Sequence, residues 1–521
     1  MDDDNLKQGK ELSVKTKSAR WPLLIFLIFV LTAANGAFAQ THRNWSSLDR
    51  FILASMKEWK VPGASVAIVQ GQSPVYVKGF GVRNVRTGAP VDVDTLFDIG
   101  SCTKAFTASA IAMLVDQGKM RWNGKVRDYI PFFRLYDPLA DEEVTIRDLL
   151  THRTGEQSPD LLFETPFNRE QMVRRLAYVK PNVGFRTRFQ YNNMMYVAAG
   201  YAVGQVSRGT WGEFVRRRIF DPLGMTDSLT SIVQAEKAAD SATPYVKKPD
   251  GKIVPIPWMN IDVEGPAGSI CSSARDMAKW ITFQLNDAVF DGKRLISKKN
   301  MQEMHTPQIV VPNGAIKTVF FPDSKLLSYG MGWFIDDYRG HELILHPGDI
   351  DGFSALVVLI PELHVGYSVL INLGSGGITY RQVLGYHIAD LLLGLPEVNW
   401  SAYFHKLSAK FAAEEKEREE AWESKRISGT RPSHELSAYE GDYENPVYGK
   451  ASIALKNGDL SFRFYSVTSI LKHFQYDTFL IHLDGNHRFT FATDADGNIS
   501  SFTALGIKFR RIAGSRDANG S

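Results

Sequence analysis

The 521-residue chain holds two cysteines, Cys102 and Cys271. That scarcity excludes a disulfide-rich scaffold and leaves either one bridge or two free thiols. An excess of charge of either sign is also missing. Sixty Lys and Arg stand against 57 Asp and Glu, a formal net charge of +3, so the basic surplus of a nucleic-acid binder is absent and nucleic acid is not an expected partner. No H-E-x-x-H pair and no spaced Cys/His cluster occurs, so no metal site is expected and no organic cofactor is implied. Trp122, His152, His473, His482 and His487 are read as structural or solvated. A G-x-S-x-G elbow is lacking, which argues against a nucleophile carried on that strand–turn–helix device. Internal repeats and low-complexity tracts are lacking too.

Long apolar runs are scarce. The run "WPLLIFLIFVL" falls short of the ~20 residues that a spanning helix requires. It follows a lysine-bearing lead and precedes "TAANGAFA". This order matches a secretory signal over residues 1–39 with an A-x-A-like cleavage site at Ala37 to Ala39. The expected mature chain starts near Gln40, in the periplasm or outside the cell, with an uncleaved membrane anchor as the alternative.

With 44% apolar residues, the chain can bury a sizeable core, and its length suits one large domain and one small one. "VPGASVAIVQGQSPVYVKGFGVRN" reads as two or three antiparallel strands. A helical pattern follows from Lys104 to Met120, its apolar residues mostly on one face and its end at Gly118. Helices dominate to about Leu285. Strand signals return in "YGMGWFID", "GHELILHPG", "FSALVVLIP" and "VGYSVLINL", before a helix from Arg381 to Leu393. Strands at both ends of a domain with helices between them predict an α+β fold, its antiparallel sheet flanked by helices and completed by both ends, over residues 40–395. Residues 396–430 read as a charged linker helix with a solvated face. Residues 431–512 read as a small all-β, barrel-like module, with Asn457-Gly458 as the clearest tight turn, and 513–521 as a tail.

Chemistry concentrates at "GSCTKAF". Ser101 follows Gly100 at a helix start, where unbonded N–H groups favour a developing oxyanion. Lys104, three residues on, shares the face of Ser101 and can reach its hydroxyl. A serine needs a neighbouring base, and lysine is a recurrent one, but S-x-x-K alone equally suits a helix cap. Farther on, "RFQYNNMMYVAAG" places Tyr191 and Asn193 before an apolar helix, and "LILHPGDIDG" places His346 and Gly348 at a strand end.

With S-x-x-K, Y-x-N and H-x-G in this order, the chain resembles the serine β-lactamase and penicillin-binding superfamily, in particular the class C β-lactamase-like group with its esterases and D-amino-acid peptidases. "TIRDLLTHRTG", "RRRIFDPLGMTDS" and "PAGSICSSARDMAKW" extend the likeness over about Leu48 to Leu393. The resemblance implies the β-lactamase/transpeptidase-like fold and an exported serine hydrolase working through an acyl-enzyme on Ser101. Lys104 and Tyr191 would share the proton transfers, Tyr191 as a phenolate if nearby positive charge lowers its pKa. Asn193 would hold the substrate amide and orient Lys104. The oxyanion would meet the backbone N–H groups of Ser101 and Asp349, and Gly348 would let substrate approach the strand edge. His346, where the family also carries lysine, leans the expectation from a β-lactamase toward an esterase or peptidase, because a permanent charge is gone. A β-lactam, a D-amino-acid peptide and a small ester stay open as substrates. A penicillin-binding sensor with little turnover is a rival from another class. The terminal module resembles a lipocalin-like β domain. In the family, "PAGSICSS" runs near the active site, which brings Cys102 and Cys271 within range of a bridge.

Overall fold

Two consecutive segments, the first buried along nearly its whole length and the second only in part, start the sheet. In the computed structural model, which describes residues 45–483 and 486–512, helix α1 (Ser46–Trp59) leads into strands β1 (Gly63–Gln70), β2 (Ser73–Asn84) and β3 (Ala89–Pro90). The proposed signal and the tail lie outside the described residues. Two strands that carried no sequence signal, β4 (Ile309–Val310) and β5 (Ser324–Tyr329), precede the four late signals, which become β6 (Phe334–Tyr338), β7 (His341–Ile350), β8 (Phe353–Ile360) and β9 (Val365–Ile371). These form one nine-stranded antiparallel sheet in the order β4-β5-β6-β7-β8-β9-β1-β2-β3. The N-terminal strand thus pairs with the last one, Val66 opposite Val369, and the expected α+β architecture is present.

Helices cover both faces. The pleat sends successive side chains of β8 to opposite sides: Leu356 meets Gly385 of α5 (Gly377–Leu393), whereas Val357 joins the large cluster that contains Trp280 and Ile281 of α4 (Ala274–Leu285). Between sheet and helical region runs α2 (Thr103–Asp116), and here the structure departs from the sequence reading. All of Thr103 to Leu114 is buried, so α2 is no surface helix with one apolar face. Its small residues, Ala105, Ala108, Ala110 and Ala112, let neighbours close on every side, as a helix passing through a core requires. The apolar α3 (Asn193–Ser207) packs beside it, capped by Asn192, whose side chain accepts from the N–H groups of Met194 and Met195.

The charged segment forms α6 (Trp400–Glu423), mostly exposed but anchored at both ends. Trp400 is buried and donates from Nε1 to Asp390 Oδ2 at 2.8 Å. Trp422 stacks on Phe474 at 4.4 Å. Beyond it, strands β10 (Gly441–Asn445), β11 (Gly449–Lys456), β12 (Asp459–Phe464), β13 (Val467–Gln475), β14 (Thr478–His482), β15 (Asn486–Thr493), β16 (Ile499–Ala504) and β17 (Ile507–Arg511) run up and down and close into a barrel. Asn457 and Gly458, with φ of 52° and 84°, make the tight turn expected between β11 and β12. Among the described residues no helix is long and apolar enough to cross a membrane.

Candidate active site

Ser101 sits in a single 3-10 turn, Gly100–Cys102, that feeds α2. Neither this turn nor α2 has a side-chain cap, so the serine hydroxyl is not spent on the helix end. It faces Lys104 instead, with Nζ 2.9 Å from Ser101 Oγ. The amine also donates to Asn193 Oδ1 and to the Ala267 carbonyl, both at 2.8 Å. Those two acceptors take two N–H bonds. A neutral amine keeps its third position, a lone pair, for the proton of Ser101.

The electrostatics favour that neutral form. Lys104 is wholly buried; burial, only partly offset by the carboxylate of Asp160, lowers its pKa to about 7. Tyr191 behaves in the opposite way. Its ring packs 4.3 Å from that of His152, with Lys104 Nζ 4.9 Å from its centroid. Burial drives its hydroxyl well above the usual tyrosine value, against a smaller lowering from its hydrogen bond with Ser101. Burial therefore favours the neutral phenol at Tyr191 over the phenolate that the resemblance implied.

Asn193 is engaged at both ends of its amide. Oδ1 accepts from Lys104, and Nδ2 donates to Asp160 Oδ1 at 3.1 Å. Its backbone N–H donates to Ser158 Oγ at 2.8 Å. The geometry thus supports its orienting role toward Lys104.

Strand β7 delivers Gly348 and Asp349 against the serine turn. A Cβ on Gly348 would overlap the Ile99 carbonyl oxygen and lie 3.1 Å from Ser101 N. Gly100, at φ of 48°, would set a Cβ 2.7 Å from Asp349 N. Two glycines therefore let the backbones carrying the Ser101 and Asp349 N–H groups meet, as an oxyanion site requires. Asp98 holds the turn by accepting the Gly100 N–H at 2.8 Å, and burial pushes its carboxyl up to about 8.

His346 occupies a different place from that expected. It is 1% exposed. Nδ1 donates to the Pro347 carbonyl at 2.6 Å, and Nε2 lies 3.0 Å from the Tyr329 hydroxyl, which it accepts. Burial lowers its pKa to about 3, with Lys104 adding to the effect. In this arrangement both ring nitrogens are engaged by Pro347 and Tyr329, and a ring kept neutral by burial offers no cation to the substrate that sequence expected it to meet. Beside it, the side chain of Asp349 pairs with Arg381 of α5 at 2.5 Å, and Arg381 Nη1 also donates to the Gly348 carbonyl at 3.0 Å.

Both cysteines are buried and free. Cys102 Sγ lies 3.1 Å from the His346 carbonyl oxygen. Cys271 lies in a two-stranded ribbon opposite Asp98. The bridge left open by sequence is absent.

His152, set aside in the sequence, belongs to the surroundings of the site. Its backbone is left-handed at φ of 56°, and Nδ1 accepts the Asn192 N–H at 3.0 Å. It therefore fixes the chain between Tyr191 and Asn193. Asp160, Ser158 and Arg381 were equally invisible, because their partners lie 33, 35 and 32 residues away. The left-handed "THRTG" turn was the single local signal available.

A family model described as Beta-lactamase matches residues 48–392, and one described as a domain of unknown function (DUF3471) matches 425–516. The chain belongs to the beta-lactamase family. It is a serine hydrolase of that family, similar to unguisins hydrolase ungD of Aspergillus violaceofuscus, with 28% identity over 79% of this chain and 76% of that one. Protein flp of Staphylococcus aureus is 26% identical over 64% of each chain. Among solved structures, the octameric penicillin-binding protein homologue from Pyrococcus abyssi superposes with a TM-score of 0.59 at 25% identity, covering 89% of this chain and 99% of that one. The D-amino acid amidase from Ochrobactrum anthropi shares the fold, with a TM-score of 0.53 at 22% identity over 66% of this beta-lactamase-family chain and 98% of its own.

Proposed function

We propose that this hydrolase is exported and forms an acyl-enzyme at Ser101 on esters or amides that carry no free carboxylate beside the scissile group, as an esterase or a D-amino-acid peptidase would. The contacts of Lys104 with Ser101, Asn193 and Ala267 carry the reading, because they leave the lone pair of a weakly basic amine on the serine hydroxyl. Lys104 takes the proton of Ser101 as Oγ attacks the carbonyl carbon. The oxyanion is received by the Ser101 and Asp349 N–H groups. The proton passes through the Tyr191 hydroxyl to the leaving nitrogen or oxygen as its bond to carbon breaks. Water, deprotonated by the same pair, then releases the acid and restores Ser101.

Neutral His346 and the Asp349 carboxylate support the choice of substrate. Neither offers a free cation to a carboxylate, because the cation beside Asp349, Arg381, is buried and already paired with it. Export rests on the order of charged lead, apolar run and small residues before Gln40.

A turnover panel of nitrophenyl esters, D-amino-acid amides and nitrocefin on wild type and Ser101→Ala tests the reading. Turnover of neutral esters or amides, lost in the variant, is expected. Preferential turnover of nitrocefin would overturn the substrate assignment. Sequencing the N-terminus of the expressed protein tests export: an end near Gln40 is expected, and an intact leader contradicts cleavage.

A further inference from the structure

A cavity of about 560 Å³ reaches the candidate site at Tyr191, whose hydroxyl bonds with Ser101, and the catalytic steps above leave it without a role. Its volume lies within the span of ligand sites. Ser158 and Asp160, which hold Asn193, line it as well; His346, Gly348 and Asp349 do not. Four carboxamides, Gln157, Asn182, Gln190 and Asn313, stand in the same wall, and their side chains make no hydrogen bond with any described residue.

Two charged residues line this cavity, Asp160 and Arg188, and they differ in place and in engagement. The Asp160 carboxylate accepts from Asn193 Nδ2 at 3.1 Å and from Ser158 Oγ, and it is near enough to Lys104 to favour the ammonium. Arg188 makes no ion pair or hydrogen bond with any described residue, and it is not among the charges that act on Lys104 or Tyr191. It stands three residues before Tyr191, at most ~10 Å away along the chain. The cavity is therefore negative at its catalytic end and positive away from it. That polarity opposes a carboxylate beside the scissile bond and favours one farther along.

We propose that Arg188 is a specificity-determining residue: its guanidinium takes a carboxylate that the substrate carries several bonds from the scissile carbonyl, and the carboxamides meet the peptide groups between. Guanidinium and carboxylate match as a planar fork. Carboxamides offer both donors and acceptors, as the N–H and C=O groups of a peptide require. The substrate class is thus an acidic peptide or an ester of one. The position of the scissile group rests on the acyl-enzyme reading; the charge preference of the cavity does not.

Calorimetry on the full chain carrying Ser101→Ala, which removes the nucleophile, compares succinyl-D-alaninamide with acetyl-D-alaninamide. The two differ by one remote carboxylate. Binding of the succinyl compound roughly tenfold or more tighter is expected. Arg188→Gln in the same background should abolish that preference, and Arg188→Lys should keep part of it. Arg188 is exposed, so its replacement does not put folding at stake. Equal affinities, absence of binding by both compounds, or a preference that survives Arg188→Gln overturns the proposal. The nitrophenyl esters of succinyl-D-alanine and acetyl-D-alanine carry the test to turnover, where Arg188→Gln should raise the KM ratio of the succinyl to the acetyl ester about tenfold. Turnover of neither ester, with the binding preference intact, counts against the acyl-enzyme reading and supports Arg188; turnover of both with an unmoved KM ratio counts against Arg188 alone.

Discussion

A lysine enclosed without a contacting carboxylate holds its proton weakly, and Lys104, at about 7, changes charge in the range where the enzyme would work. The sign of the pH dependence follows. Below about 7 the ammonium has no lone pair for the Ser101 proton; above it the free amine does. The kcat/KM for a neutral ester is expected to rise with pH through about 7 and then level, as followed by stopped-flow or plate kinetics. Asp160 raises the Lys104 value, so Asp160→Asn should move the rise to lower pH while keeping an acceptor for Asn193. A shift to higher pH would assign the rise to another group. His346, at about 3, does not titrate in this range. Any step in the KM ratio of a carboxylate-bearing ester to a neutral one between about pH 5.5 and 8 should therefore belong to Lys104 and move to lower pH with the rise in Asp160→Asn, where a titrating histidine would give a step that stays in place.

At the scale of elements, the proposed oxyanion site depends on the strand-to-turn contact. Gly348→Ala must push β7 away from Ile99 and Ser101. A loss of about 10² or more in kcat/KM is expected, as for removal of an oxyanion donor, with Lys104 unaltered in the pH profile. Near-wild-type activity would show that the two backbones do not form the site. The order of S-x-x-K, Y-x-N and H-x-G made this assembly legible, because each motif marks a turn or strand end with its own local signal. Strands β1, β2 and β6 to β9 were legible for the same reason, as β-branched runs bounded by turns. Three things were not. The all-round burial of α2 is decided by neighbours, not by its own period. The charge states of Tyr191 and His346 depend on burial, which residue type does not encode. The Arg381–Asp349 pair joins a helix to a strand across the fold.

In the whole molecule, the barrel is fastened to the hydrolase region at defined points. Arg175 donates to the carbonyls of Pro446 at 2.6 Å and Val447 at 3.2 Å, and Phe167 meets Tyr465 edge-on. Val447 is counted within the large hydrolase core. Trp400 and Phe404 are buried against the same region, so the natural cut lies after Glu423 and not near Leu395. A chain ending there should lose thermal stability through the exposed Phe167 and Arg175 yet keep acylation by short esters, because no residue bonded to Ser101 or Lys104 lies beyond it. A folded truncation that fails to acylate would place part of the site in the barrel. The most direct test of the account concerns Ser101 itself, through intact-mass and peptide mapping after a fluorophosphonate probe. One adduct on the peptide carrying Ser101, rising with pH through about 7 and absent in Ser101→Ala, is the predicted result; equal labelling of wild type and variant, or an adduct on another residue, would contradict it.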